Sequence, residues 1–280
     1  MSPSDAPVAS TEPTLEIISG GATGLVKLRA NSPLVEKAPY PYSEDAQQSI
    51  RDLNREFIAY KRLPLHPRLL QLHPDSTPEK LVLPYLHHGC LHQFLRAPFD
   101  ISSPTPSSPG SLLRTPPPPM VTPLQRLQFA ADAAEGVSVL HSAGIVHGDI
   151  NAWNFLLDDE FRLCIIDFSG STFDGVRGSA LEGYRYCLPR PFKDPSTVRT
   201  DLFALGSVLY EIATGEAPYQ RCEDEEAVEL FEQGIFPSVK EFQLGSIILG
   251  CWQGVYSSAL SVFEDIQAQQ SNLDGDGDGI

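Results

Sequence analysis

"HGDINAWNFLLDDEFRLCIIDFSGS", residues 147–171, decides how the rest of the chain reads. It holds Asp149, Asn154 five residues on, an apolar hairpin with "DDEFR" at its turn, and Asp167 directly after the apolar run "LCII". Asp149 and Asn154 flank a short loop. A carboxylate set between a buried strand and "FSG" is costly to bury unless it binds something.

Upstream, "LEIISGGATGLVKLRA" reads as two strands around a glycine turn, and "PLVEKAPY" as a third strand carrying Lys37. "SEDAQQSIRDLNREFIAYKRL" places Ile50, Leu53, Phe57, Ile58, Tyr60 and Leu63 at helical spacing, with Ser43 as cap and Glu44 and Asp45 in the first turn. "RLLQLH" and "KLVLPYL" read as two further strands. The first 90 residues are therefore expected to form a small sheet with one long helix. Residues 1–14, rich in Ser, Pro, Ala and Thr, have little to bury and are expected to be disordered.

The stretch from Ala97 to Pro123 carries nine prolines in 27 residues, which neither a helix nor a central strand tolerates. It is expected to be a surface insertion. A role for "TPPPPM" as a polyproline ligand is the lesser alternative. A helix follows, with Thr122 as cap and Pro123 at its first position. "TVRTDLFALGSVLYEIATG" is apolar nearly all round and so reads as a buried helix. "EEAVELFEQG" and "LGSIILGCWQGVYSSALSVFEDIQAQQ" are further helices, and residues 267–280 read as an acidic, glycine-rich tail. "DGDGDGI" opens like a calcium loop but has no twelfth-position Glu, so a solvated tail is favoured.

Composition narrows the function. Of 280 residues, 41% are hydrophobic, enough for a sizeable core. Acidic residues outnumber basic ones 36 to 20, for a formal charge of −16, which argues against nucleic acid and anionic membrane as partners. The opening residues lack the basic and apolar regions of a signal peptide, and no apolar run approaches a membrane span. Cys90, Cys164, Cys187, Cys222 and Cys251 lie far apart with no C-x-x-C pair. They read as reduced thiols of an intracellular protein, cytoplasmic ahead of nuclear.

Phosphoryl transfer needs a phosphate cradle, a cation on the phosphates, oxygen ligands for Mg²⁺ and a base beside the incoming hydroxyl. The chain offers these in order. "SGGATGLV" supplies Gly20, Gly21 and Gly24, which make either a phosphate cradle or a plain β-turn. Lys37 is followed 19 residues later by Glu56 on the capped helix, and Asp149 is followed 18 residues later by Asp167.

Together these elements resemble the eukaryotic protein kinase family over about residues 15–266, on the serine/threonine side of that family and in divergent form. "HGDINAWN" is similar to the family's H-R-D-L-x-x-x-N loop and "DFS" to its D-F-G, while "LPR" and "DLFALG" stand where the family has A-P-E and its Asp-to-Gly motif. The resemblance implies an α+β, bilobal fold with an antiparallel-sheet N-lobe and hinge over 15–86. A mainly helical C-lobe spans 87–266, interrupted by the 97–123 insertion. It implies ATP with Mg²⁺, a protein substrate, Asp149 as base, and Asn154 and Asp167 on the metal. Gly20, Gly21, Gly24, Val26, Lys37 and Glu56 fall to the nucleotide. So do the Pro84 carbonyl and the Leu86 N–H of the hinge "LPYL". Asp201 would brace the catalytic loop.

Four positions depart from the family. Gly148 stands where Arg grips a phosphorylated segment. Asn151 stands where the serine/threonine branch has a catalytic Lys, and is expected to offer one neutral hydrogen bond there. Gly183 replaces that Lys's Thr partner, and Arg190 replaces the Glu of A-P-E with no Arg in the last helices to meet it. Trp153 occupies the place of an Arg in tyrosine-specific members. A protein kinase, a nucleotide-binding scaffold with little catalysis, and a small-molecule phosphotransferase of the aminoglycoside or choline type all remain open.

Overall fold

Alternating apolar residues at the start of the chain build a sheet on one side of the molecule, and the long helical periods build the other. The computed structural model describes residues 16–21, 23–40, 46–96 and 121–275. The residues expected to be disordered, the Ser43 cap with Glu44 and Asp45, most of the proline-rich stretch and the last five residues lie outside these.

In the N-lobe, β1 (Glu16–Gly21), β2 (Gly24–Leu28), β3 (Leu34–Ala38) and β4 (Leu81–Pro84) form one antiparallel sheet in sequence order. Gly24 opens β2 at φ +156°, and a Cβ there would fall 2.3 Å from the Ala38 carbonyl oxygen, so the β1–β2 turn demands glycine at this point. The helix α1 (Ala46–Arg62) turns Ser49, Asp52, Leu53, Glu56, Ala59 and Tyr60 inward. That is one face at the three- and four-residue spacing of a helix.

The C-lobe holds α2 (Leu91–Arg96), α3 (Pro123–Ser142), a hairpin of β5 (Phe155–Leu157) and β6 (Leu163–Ile165), α4 (Val198–Thr214), α5 (Asp224–Glu232), α6 (Gly245–Gln253) and α7 (Ala259–Gly275). Its starts follow the capping signals. Thr122 accepts from the Gln125 N–H ahead of α3, with Pro123 in the first turn, and Thr197 and Thr200 make a reciprocal capping box on α4. Helix α4 buries twelve of its seventeen residues, as its all-round apolar character requires. Helix α7 continues to Gly275, so much of the segment expected to be a tail is helical.

The expected strand "RLLQLH" does not form. Arg68 is buried and its guanidinium meets Asp132 of α3 at 2.9 Å, while the Arg68 carbonyl accepts from the Ile165 N–H at 2.9 Å. The segment is thereby drawn onto the C-lobe hairpin. Among the described residues its one backbone hydrogen bond to the sheet is from the His73 N–H to the Val82 carbonyl, at 2.9 Å. The sheet consequently has four strands, not five, and residues 68–73 serve as a strap between the lobes. The short helix α2 carried no strong sequence signal; its six residues are too few for a period to show.

Candidate active site

Three charged residues from three elements meet where the lobes face each other. Lys37 Nζ lies 2.7 Å from Glu56 Oε2 and 2.8 Å from Asp167 Oδ1. The β ladder fixes Lys37, which sits opposite Val26 on β2 and Leu81 on β4. Glu56 is fully buried on the inner face of α1. Asp167 follows β6 in the left-handed region, φ +66°, a conformation that Asp accepts more readily than most residues. Burial works against the Lys37 charge, but Asp167 and Glu56 outweigh it and hold the ammonium above its ordinary range. Burial likewise pushes Asp167 up, yet the Lys37 charge and the hydrogen bonds from Lys37 and Ser169 bring its carboxyl down to about 2. Ser169, standing where the related motif has Gly, donates to Asp167 Oδ1 at 2.7 Å; this contact was not foreseen from the sequence.

The loop opposite is braced from below. Asp201 of α4 is completely buried and accepts from the His147 and Gly148 N–H groups at 2.8 and 2.9 Å, as the resemblance implied. His141 Nε2 lies 2.9 Å from the same carboxylate. The His147 ring reaches the Ile166 carbonyl at 2.9 Å, and the rings of Tyr60, Phe168 and His147 pack edge to face from α1 through to the loop.

On this support, Asn151 Nδ2 donates to Asp149 Oδ1 at 2.8 Å and Asn154 Nδ2 donates to Asp149 Oδ2 at 3.1 Å. Asn151 also donates to the Asp149 carbonyl at 3.1 Å, so both of its amide hydrogens face Asp149. The hydrogen bond expected from Asn151 toward a phosphate is therefore directed at the acid instead. Burial pushes the Asp149 carboxyl up to about 6. The His147 ring and the Asn151 and Asn154 hydrogen bonds restrain that rise, and the Asp167 charge adds to it.

Around this centre, Gly20 and Gly21 lie on β1, Gly24 and Val26 on β2, and Pro84 ends β4. The Tyr85 N–H donates to the Pro33 carbonyl at 2.8 Å, whereas the Leu86 N–H meets no backbone acceptor among the described residues.

No group of three or more His, Cys, Asp or Glu able to hold a metal ion occurs among the described residues. Asn154 and Asp167 nonetheless each keep one oxygen without a hydrogen-bond donor among those residues, Oδ1 and Oδ2 respectively. Two hard oxygens, completed by phosphate oxygens and water, suit Mg²⁺.

Two of the four departures, Gly183 and Arg190, lie in the segment from Gly170 to Arg190, which is held by bonds of its own. Arg190 pairs with the nearly buried Glu182 at 2.8 Å, and Ser196 donates to the same carboxylate at 3.2 Å. Arg199, at the start of α4, donates to the Cys251 and Trp252 carbonyls at 2.8 and 2.7 Å, closing the C-terminus of α6. Gly148, at φ +78°, packs against Ser196 and Ala180. Ser179 donates to Asp52 of α1 at 2.8 Å, and Arg55 of α1 donates to the Ser171 carbonyl at 3.1 Å.

Comparison with known proteins agrees with this geometry. Residues 41–268 match the family model for the protein tyrosine and serine/threonine kinase domain, and the chain belongs to that family. It is 25% identical over 242 residues to the serine/threonine/tyrosine-protein kinase HT1 of Arabidopsis thaliana, covering 82% of this chain and 57% of that protein. It is 28% identical over 241 residues to the serine/threonine-protein kinase VIK of the same plant, covering 79% and 50%. It is also 28% identical over 232 residues to the tyrosine-protein kinase Srms of Mus musculus, covering 75% and 41%. The chain thus spans about half the length of the curated relatives it matches.

Proposed function

We propose that this protein transfers the γ-phosphoryl group of ATP to a protein hydroxyl, serine or threonine rather than tyrosine. The observation that carries the reading is the joint assembly of Lys37, Glu56 and Asp167 within 2.8 Å, facing a loop in which Asp149 is held by two amides. Lys37 neutralises phosphate charge, Glu56 positions Lys37, and the β1–β2 turn with Gly20, Gly21, Gly24 and Val26 covers the nucleotide. The Pro84 carbonyl and Leu86 N–H meet the base. Mg²⁺, when bound between Asn154 and Asp167, supplies charge neutralisation for the phosphates. Asp149 accepts the hydroxyl proton, and Asn151 orients that carboxylate. Neither class is marked outright, since Trp153 stands where tyrosine-directed members carry Arg and Asn151 where serine/threonine-directed members carry Lys.

The absent lysine favours slow turnover, since one preorganised donor is worth roughly 10²–10³ in rate. The same absence favours the second reading, a nucleotide-binding scaffold. The test is Mg²⁺-dependent transfer from ATP by purified protein to a serine/threonine peptide library. Transfer lost in Asp149→Asn supports the enzyme. Normal ATP binding without transfer leaves the scaffold. The five cysteines are free, and no helix among the described residues is long and apolar enough to cross a membrane.

A further inference from the structure

Two residues past Asp167 stands Ser169, 5% exposed. Its hydroxyl donates to Asp167 Oδ1 at 2.7 Å, and Lys37 Nζ reaches the same oxygen at 2.8 Å. The related motif has glycine at this place and so has no hydroxyl to give. The backbone of Ser169 stays out of the positive-φ region, so the side chain is carried there without strain.

The neighbouring contacts act on other groups. The Phe168 ring packs between those of Tyr60 and His147, with centroids 4.8 and 5.8 Å away. The Gly170 carbonyl accepts from the Ala180 N–H at 3.2 Å, and the Ser171 carbonyl accepts from Arg55 at 3.1 Å. These contacts hold a ring and two carbonyls, and none of them touches the Asp167 carboxylate. Among the described residues that carboxylate is hydrogen-bonded by two side chains, Lys37 and Ser169. A lysine ammonium is a point charge on a flexible stem, so it can follow a carboxylate as it turns. The serine hydroxyl sits on a short arm from the same turn and favours one orientation. With both donors on Oδ1, Oδ2 is the oxygen left without a donor among those residues.

We propose that Ser169 is a positioning residue: its hydroxyl holds the Asp167 carboxylate with Oδ1 on Lys37 and keeps Oδ2 for the divalent cation. The inference rests on the Mg-ATP reading above. A carboxylate already oriented loses less freedom when the cation binds, which raises affinity without adding a ligand. Outer hydrogen-bond partners of metal-ligating side chains are worth about 10–100-fold in metal affinity.

The test compares wild type with Ser169→Ala, which removes the hydroxyl alone, Ser169→Gly, which restores the residue of the related motif, and Ser169→Thr, which keeps a hydroxyl. ATP binding is measured by calorimetry without divalent cation and across a Mg²⁺ titration, and melting temperatures are measured without ligand. In the alanine and glycine variants the Mg²⁺ concentration giving half of the full effect on ATP binding should rise about tenfold, while binding without Mg²⁺ stays within about twofold. Ser169→Thr should keep most of the wild-type Mg²⁺ dependence. Wild type that binds Mg-ATP, with a Ser169→Ala variant of unchanged or tighter Mg²⁺ dependence, overturns the proposal and leaves the nucleotide reading standing. An equal loss with and without Mg²⁺, in step with a lower melting temperature, shows a purely structural serine and overturns it too. Wild type that binds no nucleotide under either condition removes the Mg-ATP reading and this proposal with it.

Discussion

The proposed nucleotide half of the cleft and the proposed acceptor half follow different rules. On the proposed nucleotide side, Lys37, Glu56, Asn154 and Asp167 stand where the resemblance expects them; Lys37, Glu56 and Asp167 converge, and Asn154 donates to Asp149. On the acceptor side, Gly148, Asn151, Gly183 and Arg190 all depart, and the segment is held by its own set of bonds, Glu182–Arg190 and Ser179–Asp52 among them. A triphosphate has the same charge and shape everywhere, which fixes the groups that hold it. A polypeptide acceptor has no such fixed chemistry, so its half of the site can be rebuilt around new pairs.

The hardest blow to the comparison is aimed at the nucleotide half. Millimolar Mg-ATP should raise the melting temperature; ligand at one hundred times Kd stabilises a fold by about 2.7 kcal/mol. Asp167→Asn should abolish that rise and bring transfer below detection. A wild-type protein that binds no nucleotide by calorimetry would falsify the site assignment. Next in size, Asp149→Asn should lower transfer at least tenfold, within the roughly 10²–10⁴ that a positioned base contributes, while ATP affinity stays nearly constant. An equal loss of affinity would mean that Asp149 belongs to the nucleotide half.

The acceptor half is probed through stability. Arg190→Ala strands Glu182, whose side chain is only 3% exposed. Removing one partner of a buried pair costs about 3–5 kcal/mol, and the partial exposure of Arg190 places the expected loss near the bottom of that range. Denaturant unfolding of Arg190→Ala against the double variant Arg190→Met with Glu182→Gln measures it, the double variant recovering most of the loss. A smaller gain is expected from Asn151→Lys with Gly183→Thr. Among the described residues a Cβ at Gly183 meets Tyr186 at 3.7 Å, an ordinary contact, so the position has room for a side chain to begin. The pair should raise transfer several-fold, and a fall would assign Asn151 to orienting Asp149 rather than to replacing a lysine. Smallest of all, phosphatase treatment should leave transfer within about twofold, because the segment is already bonded to α1 through Ser179 and Arg55.

What could be read in advance was what repeats or sits at fixed spacing. Helical spacing gave α1, the Thr122–Pro123 signal gave the start of α3, all-round apolar character gave α4, and the intervals from Lys37 to Glu56 and from Asp149 to Asp167 pointed to the centre of the site; the capping box that starts α4 was not read. What escaped depends on contacts between residues with no shared period. Arg68 and Asp132 are 64 positions apart, and their pairing converts an apolar run that alternates like a strand into a strap. Glu182 and Arg190 are close in sequence but lie in an irregular segment, where no periodicity says which way a side chain turns. For Asn151 the residue type was informative and the direction of its amide was not; only the folded loop shows both hydrogens turned to Asp149.

Gly148 carries a consequence for control. An arginine restored there would have to take φ near +78°, at about 1–2 kcal/mol for an L-residue. Its Cβ would press to 3.1 Å from Ser196 Oγ, the same hydroxyl that bonds Glu182 and lies 3.3 Å from Arg190. The reversion therefore disturbs the pair that now holds the segment before it can offer anything to a phosphate. Phosphate-gripped control through this position would therefore come at a cost to the bonds that now hold the segment.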